Sequence, residues 1–260
     1  MKLRYLSGGK EMLRCFGKIM VVVAFLFVNI VNVEAKERVV SHIELRDVTY
    51  SGKNVIPRIK VFDQEGRHIP KKQYCMFFNG DTLNAGKVTV RVKGIRRVSG
   101  EASASYTIKK RNISSCQLSG IENHTYDGRK HDPNVRLTYH QYNVSYRLSY
   151  GDCKSIGKKK VKIVGIGNFT GTIYKNYKIL PPSSRILTMT KSGTNVHLTL
   201  VKAAGGVKYQ IGYKTKKKWK TKMVSGTHIT INVKDKGKTS FKVRTRKNGV
   251  KSAWSAVKRV

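Results

Sequence analysis

The chain has 260 residues, 39% of them apolar, with 53 Lys and Arg against 14 Asp and Glu and a formal net charge of +39. That apolar share excludes a disordered basic tail, and the charge resists compaction while attracting polyanions. Four cysteines, Cys15 near the N-terminus and then Cys75, Cys116 and Cys153, exclude a dense disulfide framework; one bridge, such as Cys116 to Cys153, and three separate thiols both stay open.

Residues 1–18 carry Lys2, Arg4, Lys10, Arg14 and Lys18 and run into the apolar IMVVVAFLFVNIVNV, followed by Val33-Glu34-Ala35 with small residues where a signal peptidase reads. This predicts a signal peptide over 1–35, cleaved after Ala35, and secretion. An uncleaved anchor is the competing reading, because about 15 apolar residues, though short of the roughly 20 that a bilayer span needs, come near that length. No second run of this kind follows, so cleavage would leave no transmembrane segment.

The segment TYSGKNVIP at 49–57 returns as TYDGRKHDP at 125–133, and from residue 80 onward two copies keep a constant offset of 71: Gly80-Asp81 answers Gly151-Asp152, Gly94-Ile95 answers Gly165-Ile166, and Tyr106 and Ile108 answer Tyr177 and Ile179. Within each copy KVTVRVKGI (87–95) and KKVKIVGI (159–166) alternate Val or Ile with Lys or Arg, the period of a half-buried strand with its cations outward. YCMFF and YRLSY read as the strands before the Gly-Asp turn, and ASASYTIKK and TIYKNYKIL as the closing strands. Amphipathic helical periodicity is absent, so residues 36–110 and 111–180 are expected to be two all-β units. In each opening segment Tyr is expected to anchor the core, Gly to turn, and Pro to stand at a strand edge.

These residues resemble the small Ig-like or MBG-type repeats found in tandem on secreted and surface proteins of Gram-positive bacteria. DTLNAGKVTVRVKGI in the first copy and GIGNFTGTIYKNYKI in the second match different halves of that pattern. The resemblance covers residues 41–180 and implies no catalytic activity; Ig-like and β-grasp topologies both remain open. After the linker Pro181-Pro182-Ser183-Ser184 the repeat stops, and seven short alternating segments follow, from RILTMT to SAWSAVKRV. AAGGVKYQIGY and SFKVRTRKNGVKSAWS are similar to strands of fibronectin type III-like domains, which implies a third sandwich over 181–260. Leu200-Val201 stands where that family has a buried Trp, and Phe241 where it has a Tyr. The expected fold class is thus all-β, with three small β-sandwich domains (Ig-like, Ig-like, fibronectin type III-like) in tandem after a signal peptide.

Net charge is +9 over residues 36–110, +8 over 111–180 and +19 over 181–260, where 20 basic side chains meet one acid, Asp235. The densest run, KTKKKWKTK at 214–222, places Lys214, Lys216, Lys217, Lys218, Lys220 and Lys222 around Trp219. Its alternation is expected to turn Trp219 inward and Lys218, Lys220 and Lys222 outward, about 6 to 7 Å apart, where they repel unless a polyanion lies across them. Lys242, Arg244 and Arg246 repeat the alternation on another strand. Lysine also keeps sheet edges from pairing, but solubility is served equally by Glu, so the near exclusion of acids favours an anionic partner.

The expected partner is an anionic cell-wall polymer such as wall teichoic acid, or a sulfated glycan, with a protein partner open for the repeats. Nucleic acid is physically equivalent for a lysine strip, but secretion ranks it below the extracellular polymers. His42, His68, His124, His131, His140, His197 and His228 lack metal-ligand spacing, no carboxylate pair or nucleophile motif stands out, and no cofactor, metal or enzymatic activity is expected. The reading is a non-catalytic secreted or cell-surface protein that holds an anionic polymer through its basic C-terminal domain, with the repeats as spacer or adhesion arm. The rival is a carbohydrate-binding accessory module of an extracellular hydrolase, which needs two or three exposed coplanar aromatics among Tyr209, Tyr213, Trp219 and Trp254.

Overall fold

A computed structural model describes residues 37–215, 218–234 and 237–260; the expected signal peptide over 1–35 lies outside the described residues. Apart from two 3-10 turns at Lys71–Gln73 and Ile113–Ser115, the regular structure is all strand. No helix of the described residues is long and apolar enough to cross a membrane. The first copy contains β1 (Arg38–Glu44), β2 (Val48–Thr49), β3 (Lys60–Asp63), β4 (Tyr74–Asn79), β5 (Gly86–Gly94), β6 (Val98–Ser99) and β7 (Glu101–Lys109). The second contains β8 (Arg111–Asn112), β9 (Gln117–Ser119), β10 (His124–Thr125), β11 (Arg136–Tyr139), β12 (Tyr142–Asn143), β13 (Tyr146–Tyr150), β14 (Gly157–Gly165), β15 (Phe169–Thr170) and β16 (Thr172–Leu180). The remainder forms β17 (Ile186–Ser192), β18 (Asn195–Leu200), β19 (Lys208–Thr215), β20 (Lys218–Val224), β21 (His228–Asn232), β22 (Ser240–Lys247), β23 (Val250–Lys251) and β24 (Lys258–Arg259).

The sequence echo is an echo of topology. One sheet of the first copy runs β2-β7-β5-β4, and the corresponding sheet of the second runs β10-β16-β14-β13. In both, the short opening strand pairs in parallel with the closing strand, Val48 beside Ile108 and His124 beside Ile179. Likewise β1 pairs in parallel with β6, and β8 with β15. Alternation drives this: on β14, Val161 and Ile163 are buried while Lys158, Lys160 and Lys162 are exposed, as a sheet with one wet face requires.

By packing, the described residues up to Leu45, with Ile59–Phe78 and Thr89–Ala104, form one compact unit, and Arg46–Arg58, Asn79–Val88 and Ser105–Val260 form another. Inside the first, Val40, Val61, Ile69, Val90, Val92 and Val98 are buried beside the buried carboxylate of Asp63. Burial opposes ionisation of Asp63, but the Arg38 guanidinium (2.8 Å) and the Arg67 backbone N–H (2.8 Å) and guanidinium (3.0 Å) outweigh it and hold its carboxyl well below the usual carboxylate range. The stabilisation is therefore complete above the unfolded-state value of about 3.9 and is lost as pH falls through the lower folded value. An acid titration followed by circular dichroism should show Asp63→Asn already destabilised at neutral pH, with a flatter acid limb than the parent chain.

The second unit shows which core the repeated tyrosine anchors. Tyr50 packs against the core of Ile113, Val135, Leu137, Val161, Ile163 and Phe169, edge-on to Phe169 at 5.3 Å. Tyr126 packs against the core of Ile156, Val196, Leu198, Ile211 and Phe241. Each tyrosine thus anchors the core that follows it in the chain. Hydrogen bonds repeat the device: the Ala85 N–H donates to Asn168 Oδ1 (2.8 Å) and Asn168 Nδ2 to Asn84 Oδ1 (2.7 Å), while Asn248 Nδ2 donates to the Ile156 carbonyl (2.9 Å). Gly205, at φ +84°, is needed at the second joint, because a Cβ there would lie 2.7 Å from Ile156 Cδ1 and 3.0 Å from the Tyr126 ring.

Residues 186–259 form a sandwich of two sheets, β17-β18-β21 and β20-β19-β22-β23 with β24 beside β22. Phe241 is fully buried between them, and the hydroxyl missing there has a counterpart in Tyr209, whose oxygen accepts from the Ala203 N–H at 2.9 Å. The last expected strand, SAWSAVKRV, is strand only at Lys258–Arg259. Before that, the Ser252 and Ser255 hydroxyls accept from the Thr245 and Val243 N–H groups, both at 3.0 Å, while their own N–H groups donate back to the same two residues. Short hydroxyl side chains here replace ladder carbonyls. Cys75, Cys116 and Cys153 are free thiols, so the possible Cys116–Cys153 bridge is not formed; the Tyr177 hydroxyl donates to Cys153 Sγ at 3.2 Å instead.

Candidate functional site: a cationic sheet face

β19 fixes which way the basic strands face. Its Tyr209 and Ile211 are buried and Tyr213 is half-buried in the sandwich core, and in the antiparallel pairing they stand opposite Val224, Lys222 and Lys220. Directly opposed residues share a face, so Lys218, Lys220 and Lys222 lie on the inward-facing side of the sheet and Trp219 on the outer side. This reverses the expected orientation. Inward did not mean covered, because β20 is an edge strand and all three lysines stay exposed, their long stems reaching past the core to water. Trp219 is 39% exposed. Lys216 and Lys217 lie outside the described residues.

The outer face gathers the other expected cations. Lys242 stands opposite Gly212, Arg244 opposite Gln210, Arg246 opposite Lys208, and Lys214 opposite Trp219. The Lys242 ammonium lies 4.1 Å from the Trp219 ring centre and 4.8 Å from that of Trp254, and the Arg244 guanidinium lies 4.2 Å from Trp254 on the same face. Arg244 Nε also donates to Gln210 Oε1 at 2.7 Å. Gly212 makes room for this stack, since a Cβ would sit 3.1 Å from Lys242 Cγ and 3.3 Å from the Trp254 ring. Burial, helped by the charge of Arg246, pulls the Arg244 value below its usual one.

Electrostatically, these cations are held but not neutralised. Indole faces contribute about 0.5–1 kcal/mol each at exposed sites and fix position without removing charge. Among the described residues no carboxylate lies within ion-pair distance of Lys214, Lys218, Lys220, Lys222, Lys242, Arg244 or Arg246, whereas in residues 38–159 Asp63, Glu101, Asp47 and Asp152 each hold a cation. Asp235 lies outside the described residues.

Sequence alternation found Lys242, Arg244 and Arg246 but missed Trp254 and Gln210 and misassigned Trp219. The missed signal was register: Thr215 stands opposite Lys218 and Tyr213 opposite Lys220, and this pairing sets the phase of the second strand from that of the first. Elsewhere, His124 and His131 stack at 4.8 Å with His131 Nε2 2.9 Å from Asp127 Oδ1, but no group of three or more His, Cys, Asp or Glu among the described residues could hold a metal ion.

No family model matches the sequence. No curated protein matches it either. Among solved structures, three consecutive domains of titin align with 84% of this chain and 96% of their own at 15% identity and a TM-score of 0.29. Domains 7, 8 and 9 of the S-layer protein SbsC align with 86% of this chain and 96% of their own at 9% identity and a TM-score of 0.23. Immunoglobulin domains 1–5 of Sidekick-1 align at 7% identity and a TM-score of 0.26, over 86% of this chain but 59% of theirs. At these scores the likenesses carry no argument about function.

Proposed function

We propose that this is a secreted or cell-surface, non-catalytic protein of the bacterial tandem Ig-like kind, whose C-terminal sandwich, residues 181–260, holds an anionic polymer across its cationic sheet. The observation that carries the reading is the Trp219–Lys242–Trp254–Arg244 stack: four side chains spend their interactions keeping two charges in place while leaving both uncompensated. A surface needing charge only for solubility has no reason to order it.

Residues 36–110 and 111–180 serve as a spacer or adhesion arm, and the repeated tyrosine and asparagine joints are consistent with the spacer role. The accessory-module reading has less support, because Tyr209 is buried and the Lys242 ammonium lies against both Trp219 and Trp254, so these rings of the C-terminal sheet form no open platform for a neutral sugar. Lys ammonium groups act as point charges and give little selectivity among anions; wall teichoic acid and sulfated glycans are the extracellular candidates.

The test is a titration of the purified chain with poly(glycerol phosphate) and with heparin at rising salt. Binding should be tight at low salt and fall steeply and linearly on a log–log plot, one counterion released for about each cation engaged. Affinity that is absent at low salt, or indifferent to salt, refutes the reading.

A further inference from the structure

We infer that the outer face of β13, β14 and β16, in the second repeat, is a second binding surface, and that it takes an acidic glycan: a sugar chain bearing sulfate, phosphate or carboxylate groups. It uses none of the residues of the C-terminal sheet.

Cross-strand register builds the face. Lys158 stands opposite Lys178, Lys160 opposite Asn176, and Lys162 opposite Tyr174, with Arg147 on the same side of β13, opposite Val164. All four lysines and Arg147 are exposed, and the outward positions of these three strands include no Asp or Glu. Among the described residues no carboxylate lies within ion-pair distance of any of the five. Like charges set directly opposite destabilise a sheet, and Lys158 with Lys178 is such a pair. Beside them opens a recess of about 540 Å³ lined by Asn123, Lys158, Asn176, Tyr177 and Lys178. Asn123 Oδ1 is already engaged by the Lys178 backbone N–H at 2.8 Å, which aims the amide and leaves its NH₂ group to donate.

The first copy shows what an idle version of this face looks like. Its counterparts of Lys162 and Thr172 are Arg91 and Glu101, and Glu101 pairs with Arg91 at 3.7 Å and with Lys93 at 3.6 Å. The second copy has exchanged that carboxylate for Thr172 and placed Tyr174 where the first has Ser103. Tyr174 is 53% exposed and lies under the Lys160 ammonium at 4.1 Å. Loss of the internal counter-charge alone would suit any polyanion. An exposed aromatic ring and two amides beside the ammonium groups add what sugars ask for, a stacking surface and hydroxyl partners. Bases stack on exposed rings as well, so the preference for a glycan over a nucleic acid rests on the extracellular reading proposed above.

The experiment titrates the full chain carrying Lys242→Gln, Arg244→Gln and Arg246→Gln, which withdraws the C-terminal cations, with a sulfated heparin oligosaccharide, its desulfated counterpart and a single-stranded oligonucleotide of equal charge. Lys158→Gln with Lys178→Gln should weaken sulfated-oligosaccharide binding about 10-fold at low salt and lower the salt slope by about 2. Tyr174→Ala should weaken it several-fold without changing the slope. Thr172→Glu, which restores the first copy's carboxylate, should weaken binding while leaving the melting temperature unchanged or higher, so loss of fold cannot imitate the result. Lys71→Gln with Lys72→Gln removes the same charge from another exposed place and should change affinity less than twofold. Equal losses from the two lysine pairs, an unchanged affinity in Thr172→Glu, or an oligonucleotide bound as tightly as the sulfated sugar each overturn the inference. The C-terminal reading fails separately, through variants of Lys242, Arg244 and Arg246.

Discussion

Replacing Lys242, Arg244 and Arg246 together by Gln weakens binding of poly(glycerol phosphate) or heparin by roughly 100-fold at low salt, taking about 1 kcal/mol for each cation at an anionic surface. The salt slope falls by about 3, one for each cation withdrawn. Lys242 and Arg244 are half-buried, Lys242 against both indoles and Arg244 against Trp254, so the triple variant also disturbs the stack itself. Arg244→Lys separates the two effects: it keeps the charge but gives up the guanidinium plane against Trp254 and the bond to Gln210, and it should reduce affinity only slightly. Titration calorimetry on both variants reads the difference.

Phe241→Ala should destabilise the C-terminal sandwich by about 3–5 kcal/mol. Phe241 is fully buried between the two sheets, beside Ile211, Val243 and the stacked ring of Tyr213, and truncating such a residue removes its transfer energy and leaves a cavity. The chain has two tryptophans, Trp219 and Trp254, both in this sandwich. Urea unfolding followed by tryptophan emission therefore isolates it from the repeats, and the emission midpoint should fall sharply in the variant. A midpoint shift of a few tenths of a kcal/mol equivalent would mean that the two sheets do not share this core.

The strands were legible because alternation is a local property. Val161 and Ile163 against Lys158, Lys160 and Lys162 announce a half-buried strand without any knowledge of what covers it, and the constant offset of 71 carried the same answer to the other copy. Phase across a hairpin is not local. Trp219 is large and apolar, so burial was the natural expectation, yet its side is decided by its register with Lys214 on β19 and its exposure by the edge position of β20 among the described strands. Trp254 could not be placed from alternation at all, since serine hydroxyls rather than a strand ladder hold its segment against β22.

The repeated tyrosine was legible as a core anchor, but which core it serves was not, for a related reason. Tyr50 and Tyr126 sit in the same local motif as any core anchor, and only tertiary packing shows that they serve the core that follows. The cationic character of 181–260 was visible in composition, but the means of holding it was not: indoles and an amide, rather than carboxylates, are the partners of Lys242 and Arg244.

Because the chain's only tryptophans flank Lys242, their emission reports on the C-terminal sheet and on no other surface. The most direct measurement is a fluorescence titration of the purified chain with poly(glycerol phosphate) at low salt, repeated at high salt and alongside calorimetry. Occupation of the cationic sheet predicts a change in tryptophan emission that saturates with the calorimetric constant and disappears at high salt. Calorimetric binding with unchanged emission would place the polymer elsewhere on the molecule and contradict the account.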